Sequence, residues 1–304
     1  MSGSTARAGA ATDQDWLAER FEANRSHLRG VAFRMLGSAT EADDAVQEAW
    51  IRLSRTDASE VENLRAWLTT VVGRVSLNML RSRKTRREAS LETHVPDPIL
   101  SPEEGVDPEQ EALLGDSVGL AMLVVLDSLT PAERVAFVLH DVFAVPFDDI
   151  APIVGRTPTA ARQLASRARR RVQGAPVPDV DLDGQWAVVD AFLAAARAGD
   201  FERLLAVLDP DVVLRSDGGD ARPDLISLLR GSKAVAEGAM TFRRFAETAT
   251  RVLVNGIPGG VAWSPDGSPF AVVALTVRGG RIVAVDILAD PDRLAQLDLT
   301  VVAR

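Results

Sequence analysis

Apolar residues at Leu17, Phe21, Leu28, Val31, Ala32, Met35 and Leu36 recur mostly at spacings of three, four and seven, so Asp15 to Leu36 is predicted as an amphipathic helix stopped at Gly37. Thr40 followed by Asp43 has the form of a capping box opening a second helix. On that helix Ala42, Ala45, Val46, Ala49, Trp50 and Leu53 make one stripe, and Asp43, Asp44, Gln47 and Glu48 crowd the other side. Asn63 is placed to cap a third helix with Trp67, Val71, Val75 and Met79 as its core stripe, running into Arg81–Arg87. Pro96, Pro98, Pro102 and Pro108 then forbid a continuous helix, which makes the stretch after Glu88 a linker. Thr130, Pro131 and Glu133 supply cap, first-turn proline and capping box for a helix burying Val135, Val138, Leu139 and Val142.

Phe147 to Gly155, a short turn and Thr157 to Val172 form two short helices joined through a glycine, the pattern of a helix-turn-helix. Ala161, Leu164, Ala168 and Val172 should face its core, which leaves Thr159, Arg162, Gln163, Ser166, Arg167 and Arg170 for a major groove. Starting the first helix at Asp149 would put Pro152 in a first turn, where its missing amide costs nothing. After a second linker, Gly174 to Asp183, the texture changes. Val188, Phe192, Leu193 and Ala196 mark one more helix, Leu205–Leu214 and Val252–Leu288 are strand-rich, and Phe270–Val277 with Arg281–Leu288 read as a hairpin.

At roughly 150 residues per domain, 304 residues imply two or three units. The chain has no cysteine, so disulfides, thiolate metal sites and cysteine nucleophiles are excluded. No window reaches the ~20 apolar residues of a membrane helix, and the expectation is a cytoplasmic protein with no membrane association. The net charge of −9 hides a segregated pattern. Leu64–Arg87 holds seven cations and no acid, Glu88–Asp116 nine acids and no Lys or Arg, and Arg156–Arg171 six cations and no acid. Two basic blocks on helices flanking an acidic linker point to nucleic acid as a partner.

The order of these parts resembles the two conserved regions of a bacterial sigma factor of the extracytoplasmic-function type. The residues that carry the likeness are Asp43-Asp44-Ala45-Val46-Gln47-Glu48-Ala49-Trp50, Leu64-Arg65-Ala66-Trp67-Leu68, Leu129-Thr130-Pro131-Ala132-Glu133-Arg134 and Phe147-Asp148-Asp149-Ile150-Ala151. The resemblance implies core RNA polymerase as a partner, through its β′ clamp and β flap, with Asp43, Asp44, Gln47, Glu48 and Trp50 docking on the clamp. It implies promoter DNA as the second partner. Asn78, Arg81, Arg83, Lys84, Arg86 and Arg87 would meet the minus 10 element, and Thr159, Arg162, Gln163, Ser166, Arg167 and Arg170 the minus 35 element.

The last part resembles a SnoaL-like domain of the nuclear transport factor 2 superfamily, a sheet and helices around a cone. The implied fold is multidomain: two all-α domains followed by an α+β cone. Residues 1–14 are expected as a disordered N-terminus, 15–88 as region 2, 89–116 as an acidic Pro-rich linker, 117–174 as region 4, 175–183 as a linker and 184–304 as the SnoaL-like regulatory domain. Two motifs of that sigma subgroup have altered counterparts here. Trp-Leu-Pro-Glu-Pro resembles His94-Val95-Pro96-Asp97-Pro98, and an Asp-Gly-Gly-Gly-Lys-like motif resembles Asp217-Gly218-Gly219-Asp220-Ala221-Arg222, so Pro96, Asp97, Pro98, Asp217, Gly218 and Gly219 are candidate cis-regulatory residues.

Catalysis is not expected. His27, His94 and His140 all precede the last part, tyrosine and cysteine are absent, and Asp286 is the one acid placed mid-strand where it could point inward. No cofactor or metal is implied, and a small molecule in the cone is the remaining ligand. The alternatives are a ligand-sensing helix-turn-helix regulator acting without polymerase, and a sigma factor fused to a SnoaL-like enzyme.

Overall fold

The computed structural model describes residues 4–56, 63–86, 93–103, 120–173, 178–179, 181–241 and 243–302. In chain order its elements are α1 (Ser4–Leu36), α2 (Ala39–Leu53), α3 (Leu64–Arg86), β1 (Leu100–Ser101), α4 (Leu120–Asp127), α5 (Pro131–Phe137), a π-turn (Val138–Val142), α6 (Phe147–Val154) and α7 (Pro158–Val172). There follow α8 (Leu182–Ala198), α9 (Phe201–Val207), β2 (Leu208–Asp217), a 3-10 turn (Pro223–Leu225), β3 (Ser227–Arg230), α10 (Ser232–Thr241), α11 (Arg243–Glu247), β4 (Thr250–Val254), β5 (Ile257–Trp263), β6 (Pro269–Arg278), β7 (Arg281–Leu288) and α12 (Pro291–Leu294). Met1–Glu88 with Leu129–Arg170 form one unit, and Ala89–Ser128 with Arg171–Arg304 the other.

The first unit is helical. α1 begins at Ser4 rather than at the expected Asp15, so residues expected as disordered continue the helix. The run Ala6, Ala8, Ala10 and Ala11 favours helix intrinsically. The cap of α2 is Ser38, whose hydroxyl accepts from the Glu41 amide, so Thr40 lies inside the first turn instead of opening it. Asn63 caps α3 as expected, its side-chain oxygen accepting from the Ala66 amide at 3.1 Å. The expected stripe on α3 is only partly right. Val71 and Val75 are buried but Trp67 and Met79 only half so, while Leu68, Val72 and Leu80 are buried too. The reason is that α3 is central, packed against α1 and α2 on one side and α5 and α6 on the other, and a helix buried on two sides has no single stripe.

Thr130 caps α5 through the reciprocal bonds with Glu133 that the sequence predicts. α5 then opens into the π-turn, which changes the rotation per residue. Val135, Val138 and Leu139 stay buried, and Val142, expected in the core, turns outward to 41% exposure.

In the second unit a seven-stranded sheet runs in the order β1-β4-β5-β6-β7-β2-β3, with β2 and β7 parallel and the other neighbours antiparallel. The hairpin expected from Phe270 to Leu288 is β6 and β7, turned at Gly279 and Gly280. The strand expected from Leu205 is helical until Val207, because the Asp200 side chain caps α9 by accepting from the Arg203 amide, and β2 starts only at Leu208. Trp186, Phe192, Leu204, Leu214, Val235, Leu275 and Val285 form the core between helices and sheet. Fully burying side chains of this size is worth roughly 1.5–3 kcal/mol each. The α+β cone expected at the C-terminus is present.

Two linker segments join this unit. Asp179 donates its amide to the Val277 carbonyl, and its carboxylate accepts from the Gly279 and Gly280 amides. The stretch expected as a spacer supplies β1, which pairs with β4 as Leu100↔Val254 and Ser101↔Leu253, and α4 packs against β7. Apolar positions of the linker are buried on the sheet: Val95, Ile99 and Leu100 are at most 8% exposed. Among the described residues no helix is long and apolar enough to cross a membrane.

Candidate functional site

The helix-turn-helix is built by local chemistry. Pro146, in extended backbone, precedes α6, and Gly155 at φ +68° ends it in the left-handed conformation that a side chain would strain. Thr157 then caps α7, its hydroxyl accepting from the Ala160 amide. α6 starts at Phe147, not Asp149, so Pro152 lies in the helix interior rather than its first turn. It sits there at an exposed position, where water can satisfy the carbonyl it strands.

On α7 Ala161, Ala165, Ala168 and Val172 are buried, and Thr159, Arg162, Gln163, Arg167 and Arg170 are exposed on the opposite side. Ser166 is half-buried. The Arg162 guanidinium lies 5.1 Å from the centroid of the Phe147 ring, which holds it near the helix start. Arg169 is engaged within the unit, donating from Nε to Asp141 at 2.8 Å.

At the end of α3 Asn78 and Arg81 are exposed. Arg83, expected to face DNA, donates from Nε to Glu41 at 2.8 Å and from Nη1 to the Leu36 carbonyl at 2.7 Å. Its partner Glu41 lies in the first turn of α2, two residues before Asp43. The side chains of Lys84 and Arg86, and Arg87 altogether, lie outside the described residues.

On α2 Asp43 accepts from Arg29 at 2.7 Å, and Glu48 pairs with Arg52 at 3.0 Å. Asp44 and Gln47 are exposed. Trp50 is half-buried, its ring 5.1 Å from that of Phe21.

The candidate cis-regulatory residues meet inside the second unit. Asp217, the last residue of β2, accepts from the Val95 amide at 3.1 Å and bonds His94 Nδ1 at 2.9 Å. Arg293 on α12 donates from Nη1 to Asp217 at 2.8 Å, from Nε to Asp97 at 2.7 Å, and from Nη2 to the Val95 carbonyl. Pro96 and Pro98 are buried beside these contacts. Burial alone would raise the Asp217 carboxyl, but the His94 bond and the Arg293 charge outweigh it and hold it well below the usual carboxylate range.

Gly218 and Gly219 make the turn this arrangement needs. Gly219 has φ +61°, and a Cβ there would lie 2.0 Å from the Asp290 carboxylate; one on Gly218 would lie 2.1 Å from the Arg222 carbonyl. Arg222 in turn donates to the Phe270 and Ala289 carbonyls, tying the turn to the sheet. Arg293 was invisible to motif reading, because it lies 196 residues from Asp97 and no local pattern marks it.

Asp286 pairs in register with Arg215 and is fully buried, with Arg215 Nη1 donating to it at 3.2 Å. Its neighbours Val285 and Ile287 line the cavity of the cone, and strand alternation turns Asp286 to the other face. Burial pushes its carboxyl up to about 6 against the pull of Arg215. A carboxyl raised on folding binds its proton more tightly in the folded state, so its contribution to stability is fully present below about pH 4 and is lost as pH rises through about 6. Asp286→Asn should abolish that decline. Urea titrations at pH 4.5 and 7.5 check it, and an unaltered difference between the two pH values in the variant would refute the assignment.

Residues 20–86 match the family Sigma-70 region 2, and residues 120–172 match Sigma-70, region 4. The ECF RNA polymerase sigma factor SigJ of Mycobacterium tuberculosis is 38% identical over 289 residues, covering 90% of this chain and 91% of that protein. The probable ECF RNA polymerase sigma factor SigI of the same species is 34% identical over 292 residues, covering 94% of this chain and 97% of its own length. The crystal structure of the Mycobacterium tuberculosis extracytoplasmic function sigma factor SigJ superposes with a TM-score of 0.76 at 35% identity, over 93% of this chain and all of that one.

Proposed function

The chain belongs to the ECF RNA polymerase sigma factors, and from that premise we propose how its parts divide the work of directing core RNA polymerase to promoters. The exposed side of α7 is the observation that carries the reading. Its Thr159, Arg162, Gln163, Arg167 and Arg170 stand on one helix over an alanine-lined core, and this is the side-chain set a major-groove helix uses. Arginine reads guanine edges bidentately and glutamine reads adenine, so Arg162 and Gln163 near the helix start are assigned to bases of the minus 35 element and Arg167 and Arg170 to phosphates. The β flap of polymerase is the surface against which region 4 would be held.

Asn78 and Arg81 open the contact with the minus 10 element, where melting starts. The acidic side of α2 docks on the β′ clamp through Asp44 and Gln47 first, since Asp43 and Glu48 already hold Arg29 and Arg52. Arg83 is reassigned from DNA contact to fastening the end of α3 onto α2, in keeping with its bonds to Glu41 and Leu36.

The second unit acts in cis. It holds the linker between the two DNA-binding regions through the Asp217–Arg293–Asp97 cluster and the β1–β4 pairing. Tethering favours this, because a short connection gives an effective concentration of about the millimolar order. A small molecule in the cone modulates that hold.

Run-off transcription with purified core polymerase tests the whole. The full chain should confer synthesis from defined start sites and co-purify with core enzyme, and a chain ending at Asp183 should change the yield without abolishing it. Absence of start-site-specific RNA together with no co-purification rejects the sigma assignment. Equal yields from the two proteins reject regulation in cis.

A further inference from the structure

The cavity of the cone measures about 310 Å³ and is walled by apolar side chains such as Leu214, Leu275, Val285 and Ile287. A pocket of that size and lining suits a small organic molecule. Arg251 is the one cation among the described residues that line it. Its guanidinium stacks 4.1 Å from the centroid of the Trp186 ring, and its Nη1 and Nη2 reach Asp190 at 3.3 Å and Glu103 at 2.5 Å. Its Nε–H is buried and has no partner among the described residues.

An unpaired buried donor is costly, and an acceptor on a bound molecule would recover that cost. The charge around it also selects. One guanidinium already faces two carboxylates, so a third anion would be repelled, while a neutral oxygen acceptor would not.

Glu103 belongs to the linker. It follows β1, and β1 pairs with β4, the strand that carries Arg251. The group that would meet the ligand is therefore also one that contacts the linker.

We propose that the cone binds a neutral, largely apolar small molecule whose carbonyl-type oxygen accepts the Arg251 Nε–H, and that its binding is coupled to linker docking through the shared guanidinium and Glu103. The proposal deepens, and rests on, the reading of the second unit as regulatory. Coupling of this kind is reciprocal: a molecule that favours the docked linker is itself bound more tightly when the linker is docked.

Three probes of one shape test it on the full-length protein by calorimetry: benzophenone, diphenylmethane and 4-benzoylbenzoate. Benzophenone should bind about tenfold more tightly than diphenylmethane, which lacks the acceptor. The benzoylbenzoate should bind more weakly than benzophenone, and Glu103→Gln should narrow that gap by removing one of the two anions. Arg251→Met should erase the preference for ketone over hydrocarbon. Benzophenone should also slow amide hydrogen exchange of Leu100 and Ser101 severalfold in the parent protein.

Equal binding of ketone and hydrocarbon by the parent protein, or no binding of any probe, overturns the proposal, and this holds even if Arg251→Met fails to fold. Unchanged exchange at Leu100 and Ser101 with benzophenone bound overturns the coupling. None of these outcomes touches the sigma reading, which run-off transcription decides separately.

Discussion

Replacing Arg293 with methionine is expected to undock the linker from the second unit and to cost that unit about 3–5 kcal/mol, the range for removing one member of a buried ion cluster. The side chain is 15% exposed and joins three groups that the chain brings together from far apart: Asp97, Asp217 and the Val95 carbonyl. Without it two shielded carboxylates lose the guanidinium they share, and Asp217 keeps its bonds to His94 and the Val95 amide.

Two measurements read the loss. Hydrogen exchange at the Val95 amide, which donates to Asp217, should accelerate by at least about a hundredfold, following the free energy above. The acid limb of unfolding should also move. A carboxyl held low on folding stabilises the protein above the ordinary carboxylate range, and that stability is lost as pH falls through its depressed folded value. Removing the Arg293 charge lets the Asp217 carboxyl rise, so the acid transition begins at higher pH. Arg293→Lys should fall between, since an ammonium keeps the charge but loses the fork that spans two carboxylates. Val95 exchange and an acid transition both equal to the parent's would show that Arg293 does not hold the linker.

The second large effect is expected at Asp44. Asp44→Arg should weaken core polymerase binding by about a hundredfold or more, because reversing a charge in a complementary interface juxtaposes like charges at a cost of several kcal/mol. Folded stability should change by no more than about 0.5 kcal/mol, since Asp44 is exposed and pairs with no residue in the described contacts. Asp43 is the poorer probe, because its loss also releases Arg29. Affinity for core enzyme, measured by fluorescence titration at two salt concentrations, separates the outcomes. If the variant binds as tightly as the parent at low salt, α2 is not the docking surface.

The helix-turn-helix was legible in the chain because the signals that build it are local. Thr157, Pro158 and Gly155 act within one turn of themselves, and the alanines of α7 repeat at helical spacing. The capping box at Thr130 and Glu133 and the hairpin at Gly279-Gly280 were legible for the same reason. Errors fell where a neighbour decided. Ser38 took the cap from Thr40, α3 lost its single stripe by lying between two layers, and Val142 was turned out by a π-turn. Asp97 and Asp217 could be singled out from motif likeness, yet the cation joining them could not.

By itself the order of residues determined the helical and strand segments, the two basic blocks, the exposed face of α7 and the family, since period, caps and turn chemistry are properties of a few consecutive positions. Only the tertiary structure decided that the linker adds a strand to the sheet, that Arg83 turns inward to Glu41, and that Arg293 gathers Asp97 and Asp217. Those outcomes depend on which charges and edges are left unpaired after the chain has folded, and pairing across 196 residues has no counterpart in local pattern.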